Sequence, residues 1–512
     1  MKRHITNAPA RHLRSARNLP VIKRDYGLGL IQHMPGATAP SNDEKPSFMH
    51  DYDMIVIGSG PSGRRAAIQS AKIGKSVLVV EKGQRVGGVS VHTGTIPSKT
   101  MRETVLNLSG WRERGFYGRA YRVKKEIGAT DLLARLHKTL DHEVEVLEHQ
   151  FSRNAVKTTR GEGRFVTPHQ IAVTDDSGDA TVYGAGHVLI ACGTRPFRPD
   201  YVPFNKTTVF DSDEIVDLPK LPRNLTVIGA GVIGVEYATI FNALDVAVTL
   251  IEPRPSFLDF VDRELIEEFV HDLRDRNVSL RLGSDVTSID VAEDGKVTTR
   301  LANGRSVTTE MLLFAAGRVG AVDDLNLGAA GIAVDNRGRI KVDPQTMQTS
   351  VPHIYAAGDV IGFPSLASTS MEQGRVAACH AFAMAPHRPP EFFPYGIYSV
   401  PEISTVGMSE EEVRKRGIPY ECGIARFRET SRGHIMGLDS GMMKMIFSTK
   451  TRRLLGVHIV GEGATELIHI GQAVLNLKGT IDYFIENTFN YPTLAEAYKI
   501  AGLDAWNRMM KA

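Results

Sequence analysis

Two glycine-rich turns in this chain have the residue types that bind the pyrophosphate of a dinucleotide. The first turn contains Gly58, Gly60 and Gly63 and follows the apolar run 52–57, which favours a β-strand. Glycines at this spacing let the backbone turn tightly and approach a pyrophosphate at the positive N-terminus of the next helix. A second strand is predicted at 76–80 and leads to Glu81, whose carboxylate can accept hydrogen bonds from both ribose hydroxyls.

The same unit occurs a second time further along the chain. Its glycines are Gly229, Gly231 and Gly234, and its acid is Glu252, at the end of a strand predicted to begin at residue 247. In each copy the acid follows the first glycine by 23 residues, close to the roughly 20 expected of this motif. Two complete copies predict two Rossmann-type nucleotide-binding domains. Arg254, two residues past the second acid, is expected to receive the 2′-phosphate of NADP(H).

The stretch 86–99 reads Val-Gly-Gly-Val-Ser-Val-His-Thr-Gly-Thr-Ile-Pro-Ser-Lys. Its frame of Gly-Gly and Gly-x-Ile-Pro-Ser-Lys resembles the flavin-facing helix of the flavoprotein disulfide reductases, such as lipoamide dehydrogenase and glutathione reductase. In that family two cysteines carry electrons from flavin to a disulfide substrate. Those two positions hold Ser90 and Thr95 here, and a hydroxyl forms neither a disulfide nor a thiolate. The sequence therefore excludes thiol chemistry at this frame.

The same resemblance implies further contacts to bound nucleotides. It implies that the chain passes from a flavin domain to a nicotinamide domain at residues 190–196 and returns at 312–318. It also implies that residues 354–360 form a second flavin motif, whose aspartate binds the ribityl chain. The additional cofactor-binding positions are then Gly88, Ser90, Thr95, Lys99, Gly193, Gly317, Gly358 and Asp359.

Four residues are candidate catalytic groups by this resemblance. Lys99 ends the frame and Glu236 follows the second glycine turn, and the family pairs these positions beside the flavin N5. A lysine there stabilises negative charge on reduced flavin, while the glutamate keeps it from being a bare buried cation. Near the C-terminus, residues 489–496 match the family's His-Pro-Thr…Glu element, with Tyr491 in place of the histidine and Glu496 retained. A tyrosine, with a pKa near 10, is a poor acid for a leaving thiolate, which agrees with the loss of both cysteines.

Composition limits the class of protein. The chain has 512 residues, enough for several domains, and its formal charge of +3 is too small to indicate binding to nucleic acid or an anionic membrane. Its three cysteines, Cys192, Cys379 and Cys422, lie far apart and match no metal spacing. We expect them to be reduced and buried, in a cytoplasmic protein. No stretch has about 18 uninterrupted apolar residues, so no membrane span is expected.

The predicted fold is α/β, with an FAD-binding Rossmann domain interrupted by an NAD(P)-binding Rossmann domain and followed by an α+β dimerisation domain. The predicted bounds are 49–196 and 318–390 for the flavin domain, 197–317 for the nicotinamide domain and 391–512 for the dimerisation domain. A homodimer or higher homo-oligomer is expected. For residues 1–48 we expect a disordered extension, or a translation start assigned too far upstream. An Arg-rich transit peptide is the alternative.

A flavin with a nicotinamide site and no thiol relay leaves hydride exchange between two nucleotides as the simplest chemistry. Residues 94–99, 362–367 and 489–493 resemble the motifs of the soluble pyridine nucleotide transhydrogenases, although that group typically retains a cysteine at the position of Ser90. The resemblance implies FAD, NAD(H) and NADP(H), and the reaction NADPH + NAD⁺ ⇌ NADP⁺ + NADH in ping-pong order. Two alternatives remain, an NAD(P)H diaphorase or quinone reductase, and a non-catalytic flavoprotein that binds NADH as a redox sensor.

Overall fold

The computed structural model of this chain describes residues 51–118, 120–384 and 391–511. The extension predicted for residues 1–48 lies outside the described residues. Within the described ranges, no helix is long and apolar enough to cross a membrane. The same ranges contain no group of three or more His, Cys, Asp or Glu side chains that could hold a metal ion.

The first part of the chain forms a parallel sheet with an antiparallel extension. Its elements are β1 (Tyr52–Ile57), α1 (Pro61–Lys72), β2 (Val77–Glu81), α2 (Gly88–His92), α3 (Thr95–Leu108), α4 (Arg114–Tyr117), α5 (Ala129–Arg153), β3 (Lys157–Arg160), β4 (Glu162–Thr167), β5 (Gln170–Thr174), β6 (Ala180–Ile190) and β7 (Thr194–Pro196). Strands β3, β2, β1 and β6 lie side by side in parallel. The central strand is buried on both faces, as its continuous apolar run predicts. Strands β4 and β5 continue antiparallel from the first half of β6.

The second part forms a separate parallel sheet. Its elements are β8 (Val209–Asp211), β9 (Asn224–Ile228), α6 (Val232–Ala243), β10 (Ala247–Glu252), α7 (Arg263–Asp275), β11 (Ser279–Leu282), β12 (Val286–Val291), β13 (Val297–Leu301), β14 (Ser306–Thr309) and β15 (Met311–Phe314). The parallel order is β11-β10-β9-β15-β8, and β12 to β14 form an antiparallel meander. Helix α6 is buried along nearly its whole length, which agrees with its mostly apolar sequence.

The chain then returns to the first sheet through β16 (Arg318–Gly320), β17 (Ile354–Ala356) and α8 (Ala367–Ala381). The outgoing and returning crossings pair as an antiparallel ribbon of β7 and β16. Strand β17 adds to the first sheet in parallel beside β6. The second nucleotide-binding unit is therefore inserted in the first, which confirms the predicted α/β arrangement.

The C-terminal part forms a five-stranded antiparallel sheet with helices, as predicted for an α+β unit. Its elements are β18 (Tyr395–Ile397), β19 (Ile403–Gly407), α9 (Glu410–Lys415), β20 (Tyr420–Arg426), α10 (Ser431–Met436), β21 (Met442–Ser448), β22 (Leu454–Val460), α11 (Ala464–Asn476), α12 (Asp482–Glu486) and α13 (Glu496–Met509). The strand order is β18-β19-β22-β21-β20. The apolar sides of α11 and α13 pack on this sheet and close its core.

A buried ion cluster joins the C-terminal sheet to the second nucleotide-binding unit. Lys444 of β21 lies 3.0 Å from Asp262 and 2.9 Å from Glu264, both at the start of α7, and also hydrogen-bonds Glu410 of α9. Burial alone would raise the pKa of Glu410, but hydrogen bonds from Lys444 and Tyr420 lower it to about 2. The cluster fixes the start of α7, which follows the loop that carries Arg254.

Replacing Lys444 by Met should lower the stability of the protein strongly. The change keeps the length of the side chain but leaves the buried carboxylate of Asp262 without its cation, at an expected cost of about 3–5 kcal/mol. The matched control is Lys450→Met, at an exposed turn position beyond β21, for which a change within about 0.5 kcal/mol is expected. The measurement is the midpoint of urea unfolding at neutral pH. Equal midpoints for the two variants would show that the cluster does not stabilise the fold.

Candidate functional site

Both predicted glycine turns have the geometry of a nucleotide cradle. Gly58 and Gly229 have φ of 101° and 99°, a region that residues with a Cβ rarely adopt. A Cβ at Gly63 would lie 1.9 Å from the carbonyl oxygen of Gly58, so the helix can approach the turn only with glycine there. The second copy repeats this contact between Gly234 and Gly229.

The middle glycine of each turn, Gly60 or Gly231, faces open space, because a Cβ there would meet no atom within 4 Å. The open side of each turn and the helix N-terminus behind it fit a pyrophosphate. Both turns open into one cleft of about 2530 Å³ between the two parallel sheets and the C-terminal sheet. This geometry fits FAD at one turn and a nicotinamide dinucleotide at the other.

Most of the other predicted residues line this same cleft. They are Glu81, Gly88, Ser90, Thr95, Lys99, Gly193, Glu236, Glu252, Arg254, Gly317, Gly358 and Asp359. Gly63 and Gly234 lie behind the turns, where they allow the helices to pack. The structure therefore brings residues from several separate segments of the sequence to one place.

Lys99 and Glu236 form a direct ion pair, as predicted. The Lys99 Nζ lies 2.8 Å and 2.7 Å from the two carboxylate oxygens of Glu236. Glu236 is 3% exposed, while the Lys99 side chain keeps 26% of its surface exposed. The cation therefore reaches the cleft while its counter-ion stays buried, which places one positive charge at the cleft surface.

Tyr398 completes this pair, although no sequence motif marked it. Its backbone N–H donates to Glu236 at 2.9 Å, and its ring lies 4.9 Å from the Lys99 Nζ. Burial raises the pKa of Tyr398, so its hydroxyl stays protonated at neutral pH. The three residues lie on α3, α6 and the loop after β18. Spacing along the chain therefore gave no sign that Tyr398 contacts the Lys99–Glu236 pair.

Arg318 links the crossing ribbon to the second flavin motif and was also missed as a site residue. Its guanidinium lies 2.6 Å from Asp213 and donates to the side chain and the carbonyl of Thr194 at 2.9 Å and 2.8 Å. Burial raises the pKa of Asp359, and the positive charge of Arg318 and a hydrogen bond with Thr194 oppose that rise. The position of Arg318 directly after Gly317 was the only signal for it in the sequence.

The residues predicted for nucleotide selection contact each other. Glu252 is 4% exposed and accepts hydrogen bonds from the Ala230 N–H at 2.8 Å and from the Arg254 Nε at 2.7 Å. Burial alone would raise the pKa of Glu252, but these hydrogen bonds hold it below its ordinary value. Arg254 also lies 3.6 Å from Asp259 and leaves 52% of its side chain exposed. It is therefore held at the cleft with surface free for a further anion.

The two relay positions line the cleft and carry hydroxyls in place of thiols. The Ser90 hydroxyl donates to the Gly87 carbonyl at 3.3 Å, and Thr95 begins α3. Cys192 is the one thiol among the described residues that line the cleft. The residue as a whole is only partly buried, which corrects the expectation that it is buried. Its thiol group is nevertheless shielded from solvent, and this burial raises the pKa of Cys192 to about 12. A reactive thiolate is therefore not expected in the cleft at neutral pH.

Glu81 ends β2 and is oriented by the first turn. Its carboxylate accepts hydrogen bonds from the Ser59 N–H at 3.0 Å, from the Ser59 hydroxyl and from the Gly83 N–H at 2.7 Å. These contacts fix the carboxylate beside the turn, in the position predicted for a ribose acceptor.

Tyr491 and Glu496 do not join the cleft of this chain. Tyr491 is 73% exposed and its hydroxyl hydrogen-bonds Ser431, while Glu496 accepts from the Arg432 N–H at 3.5 Å. Neither lines the cleft. Their catalytic role stays a prediction.

Two models of one known protein family match this chain. The family model for pyridine nucleotide-disulphide oxidoreductases matches residues 52–374, and the model for the dimerisation domain of that family matches residues 393–501. The chain belongs to this family. The bounds predicted for the individual domains stay a prediction.

Curated relatives cover nearly the whole chain. A protein of Mycobacterium tuberculosis (strain ATCC 25177 / H37Ra) named soluble pyridine nucleotide transhydrogenase is 52% identical over 90% of this chain and 98% of its own length. A protein of the same name from Escherichia coli O9:H4 is 40% identical over 90% of this chain and 99% of its own length.

Solved structures share the fold. The LpdA protein of Mycobacterium tuberculosis has a TM-score of 0.80 at 25% identity, covering 88% of this chain and 99% of its own. The HOCl-induced flavoprotein disulfide reductase of Escherichia coli has a TM-score of 0.79 at 25% identity, with the same coverage. The family and these relatives make FAD the cofactor of this protein and pyridine nucleotides its substrates.

The double variant Lys99→Met, Glu236→Gln should lower the reduction potential of the bound flavin. Removing both charges avoids an unpaired buried carboxylate, while the amide oxygen of the introduced glutamine can still accept from the Tyr398 N–H. Loss of a charge-assisted contact of about 1.5–3 kcal/mol corresponds to roughly 30–65 mV for a two-electron couple. The potential is measured against reference dyes during reductive titration.

The control for this variant is Lys82→Met. Lys82 lines the same cleft and pairs with Glu162 at 2.7 Å, but its side chain is mostly exposed. Its flavin potential should be unchanged. A double variant that keeps FAD at the original potential would place Lys99 away from the flavin.

Proposed function

We propose that the protein transfers hydride between NADPH and NAD⁺, with FAD as the intermediate carrier. The observation that carries the proposal is a single cleft that contains both dinucleotide turns and the Lys99–Glu236 pair but has hydroxyls at the two relay positions. The names of the relatives at 52% and 40% identity support the same activity. When bound, FAD accepts a hydride from one nucleotide and passes it to the other.

The residues of this chain have separate tasks in the proposed reaction. Lys99 keeps a positive charge at the cleft surface, where it offsets negative charge on the reduced cofactor. Glu236 and Tyr398 hold that ammonium in place and stay out of the exchange themselves. The hydroxyls at residues 90 and 95 cannot accept the electrons, so the second nucleotide is the acceptor.

One nucleotide site serves both substrates in this proposal. The Glu252 carboxylate accepts hydrogen bonds from the ribose hydroxyls of NAD(H), and the exposed Arg254 guanidinium contacts the 2′-phosphate of NADP(H). Glu252 and Arg254 are hydrogen-bonded to each other. Binding of NAD(H) therefore frees Glu252 from Arg254, and binding of NADP(H) frees Arg254 from Glu252. The product nucleotide leaves before the second one enters, which gives ping-pong kinetics.

Purified protein should reduce thionicotinamide-NAD⁺ with NADPH as the donor, because Ser90 and Thr95 cannot accept the electrons in place of the second nucleotide. Parallel lines in double-reciprocal plots, with both nucleotides varied, would support the shared site. Reductive titration should give no long-wavelength thiolate–flavin band, because Ser90 and Thr95 replace thiols. Rapid reduction of quinones without nucleotide exchange would instead indicate a diaphorase, and a stable NADH–flavin complex without turnover would indicate a sensor.

Arg254→Ala should reduce kcat/KM for NADPH by about 10- to 100-fold, the value of a charge-assisted phosphate contact. The same variant should change kcat/KM for NADH little, because it frees Glu252 for the ribose hydroxyls. The matched variant Glu252→Gln should show the opposite preference and impair NADH more than NADPH. Steady-state kinetics with each donor and a common acceptor measure both effects. Equal losses with both donors would remove Arg254 from the phosphate role.

We also propose a homodimer in the cytoplasm. The matched dimerisation domain supports a dimer, and so do exposed apolar side chains on the C-terminal part, among them Ile435 and Leu477. The three cysteines are free, which supports a reducing compartment.

A further inference from the structure

One group of basic side chains in the cleft has neither a role in the proposed reaction nor a carboxylate partner among the described residues. Nine lysine and arginine side chains line it among the described residues. Six of them make an ion pair with a carboxylate, namely Lys82, Arg85, Lys99, Arg195, Arg254 and Arg318. The remaining three are Arg337, Arg339 and Lys341, here called the basic strip. None of the three has a carboxylate partner within 4 Å in the described part of the chain.

The local fold explains why the basic strip faces the cleft. A turn at 335–338 is closed by the bridge between Val334 and Ile340. Arg339 and Lys341 flank Ile340, which is buried, so their side chains lie on the opposite face of the extended segment. Arg337 and Lys341 are exposed and Arg339 is half-buried.

Asp335, two residues before Arg337, is already engaged by the backbone of its turn. Asp335 accepts hydrogen bonds from the backbone N–H groups of Arg337 at 2.8 Å and Arg339 at 2.9 Å. These hydrogen bonds, with the nearby guanidinium charges, lower the pKa of Asp335. Asp335 therefore stabilises the turn and leaves the guanidinium groups of both arginines to face the cleft.

Backbone hydrogen bonds fix where the basic strip lies. The Gly320 N–H of β16 donates to the Arg337 carbonyl at 2.8 Å, and the Ile340 N–H donates to the Val360 carbonyl at 3.0 Å. Gly320 is two residues from Arg318, which contacts the second nucleotide unit through Asp213. Val360 follows Asp359 of the flavin motif. The strip thus lies between the crossing ribbon and the flavin motif, and its three side chains line the cleft that contains both glycine turns.

We propose that the basic strip is a phosphate-recognition subsite that draws dinucleotides into the cleft and favours NADP(H). This proposal rests on the proposed function, since it names the strip as a determinant of substrate choice. Unpaired cations in a cleft focus the field on incoming anions and raise their association rate. NADP(H) carries a further phosphate with close to two additional negative charges, so it gains more than NAD(H) from the same field.

The test compares two triple variants of the FAD-loaded protein. The strip variant is Arg337→Gln, Arg339→Gln, Lys341→Gln. The control variant is Lys72→Gln, Lys138→Gln, Lys220→Gln, which removes the same charge at exposed positions outside the cleft. Isothermal titration gives the dissociation constants of NADP⁺ and NAD⁺ at low salt and at about 0.15 M salt, where the Debye length is about 8 Å. Stopped-flow mixing gives the second-order rate of flavin reduction by each donor.

The strip variant should bind NADP⁺ about 10-fold or more weakly at low salt, with a smaller loss for NAD⁺. The difference from wild type should narrow as salt is added, and KM for NADPH should rise while kcat stays constant. The control variant should match the wild type in all of these. Equal behaviour of the two triple variants would overturn the proposal.

Two other outcomes would also overturn it. Loss of FAD from the strip variant, read from the flavin-to-protein absorbance ratio, would assign the strip to the flavin. A change of oligomeric state would assign it to a subunit contact. Failure of the proposed function is distinguishable, because the wild type would then lack transhydrogenation while nucleotide binding still reports on the strip.

Discussion

The buried carboxylate of Glu236 is the constraint on which the site depends. It accepts from Lys99 on α3 and from the Tyr398 N–H on the loop after β18, and it belongs itself to α6. Each of these elements belongs to a different part of the chain. An ionised carboxylate in such a place is stable only when every partner is in position, so the pair fixes the flavin-side helix, the nucleotide-side helix and the C-terminal sheet relative to one another. The position of the Lys99 charge at the cleft surface is a product of this arrangement.

Loss of the thiols changes how such a site can use its two substrates. In a disulfide reductase, electrons enter on one side of the flavin and leave through cysteines. Here Ser90 and Thr95 keep the backbone of the frame, with α2 and α3 in place, but provide no redox couple. Electrons that enter from a nucleotide must therefore leave to another external acceptor. Tyr491, at the position that resembles the family's acid–base histidine, is exposed and does not line the cleft. The cleft retains the nucleotide half of the family's chemistry.

Local motifs predicted much of this fold and site from the sequence. The glycine turns and their acids were recognisable because the physical requirement, a tight turn against a helix N-terminus, is local in the chain. Strand ends differed slightly, since Glu81 and Glu252 still pair with their neighbouring strands and so belong to β2 and β10. The Lys99–Glu236 contact followed from the resemblance of two separate motifs. Contacts of Tyr398, Arg318 and Lys444 were not predictable, because each joins residues more than 100 positions apart with no marking pattern.

The sequence does not show which charged side chains form ion pairs in the folded protein. The composition counts nearly equal numbers of basic and acidic residues, which suggests a neutral surface throughout. Among the described residues, folding pairs most basic groups in the cleft with carboxylates and leaves three together on one segment, where Asp335 accepts hydrogen bonds from the backbone of its turn. A cleft that must admit NAD(H) and the more highly charged NADP(H) in alternation benefits from this division. The ion pair between Arg254 and Glu252 can be exchanged for a contact to either nucleotide. The proposed basic strip attracts both nucleotides and, through its charge, attracts the more highly charged NADP(H) more strongly.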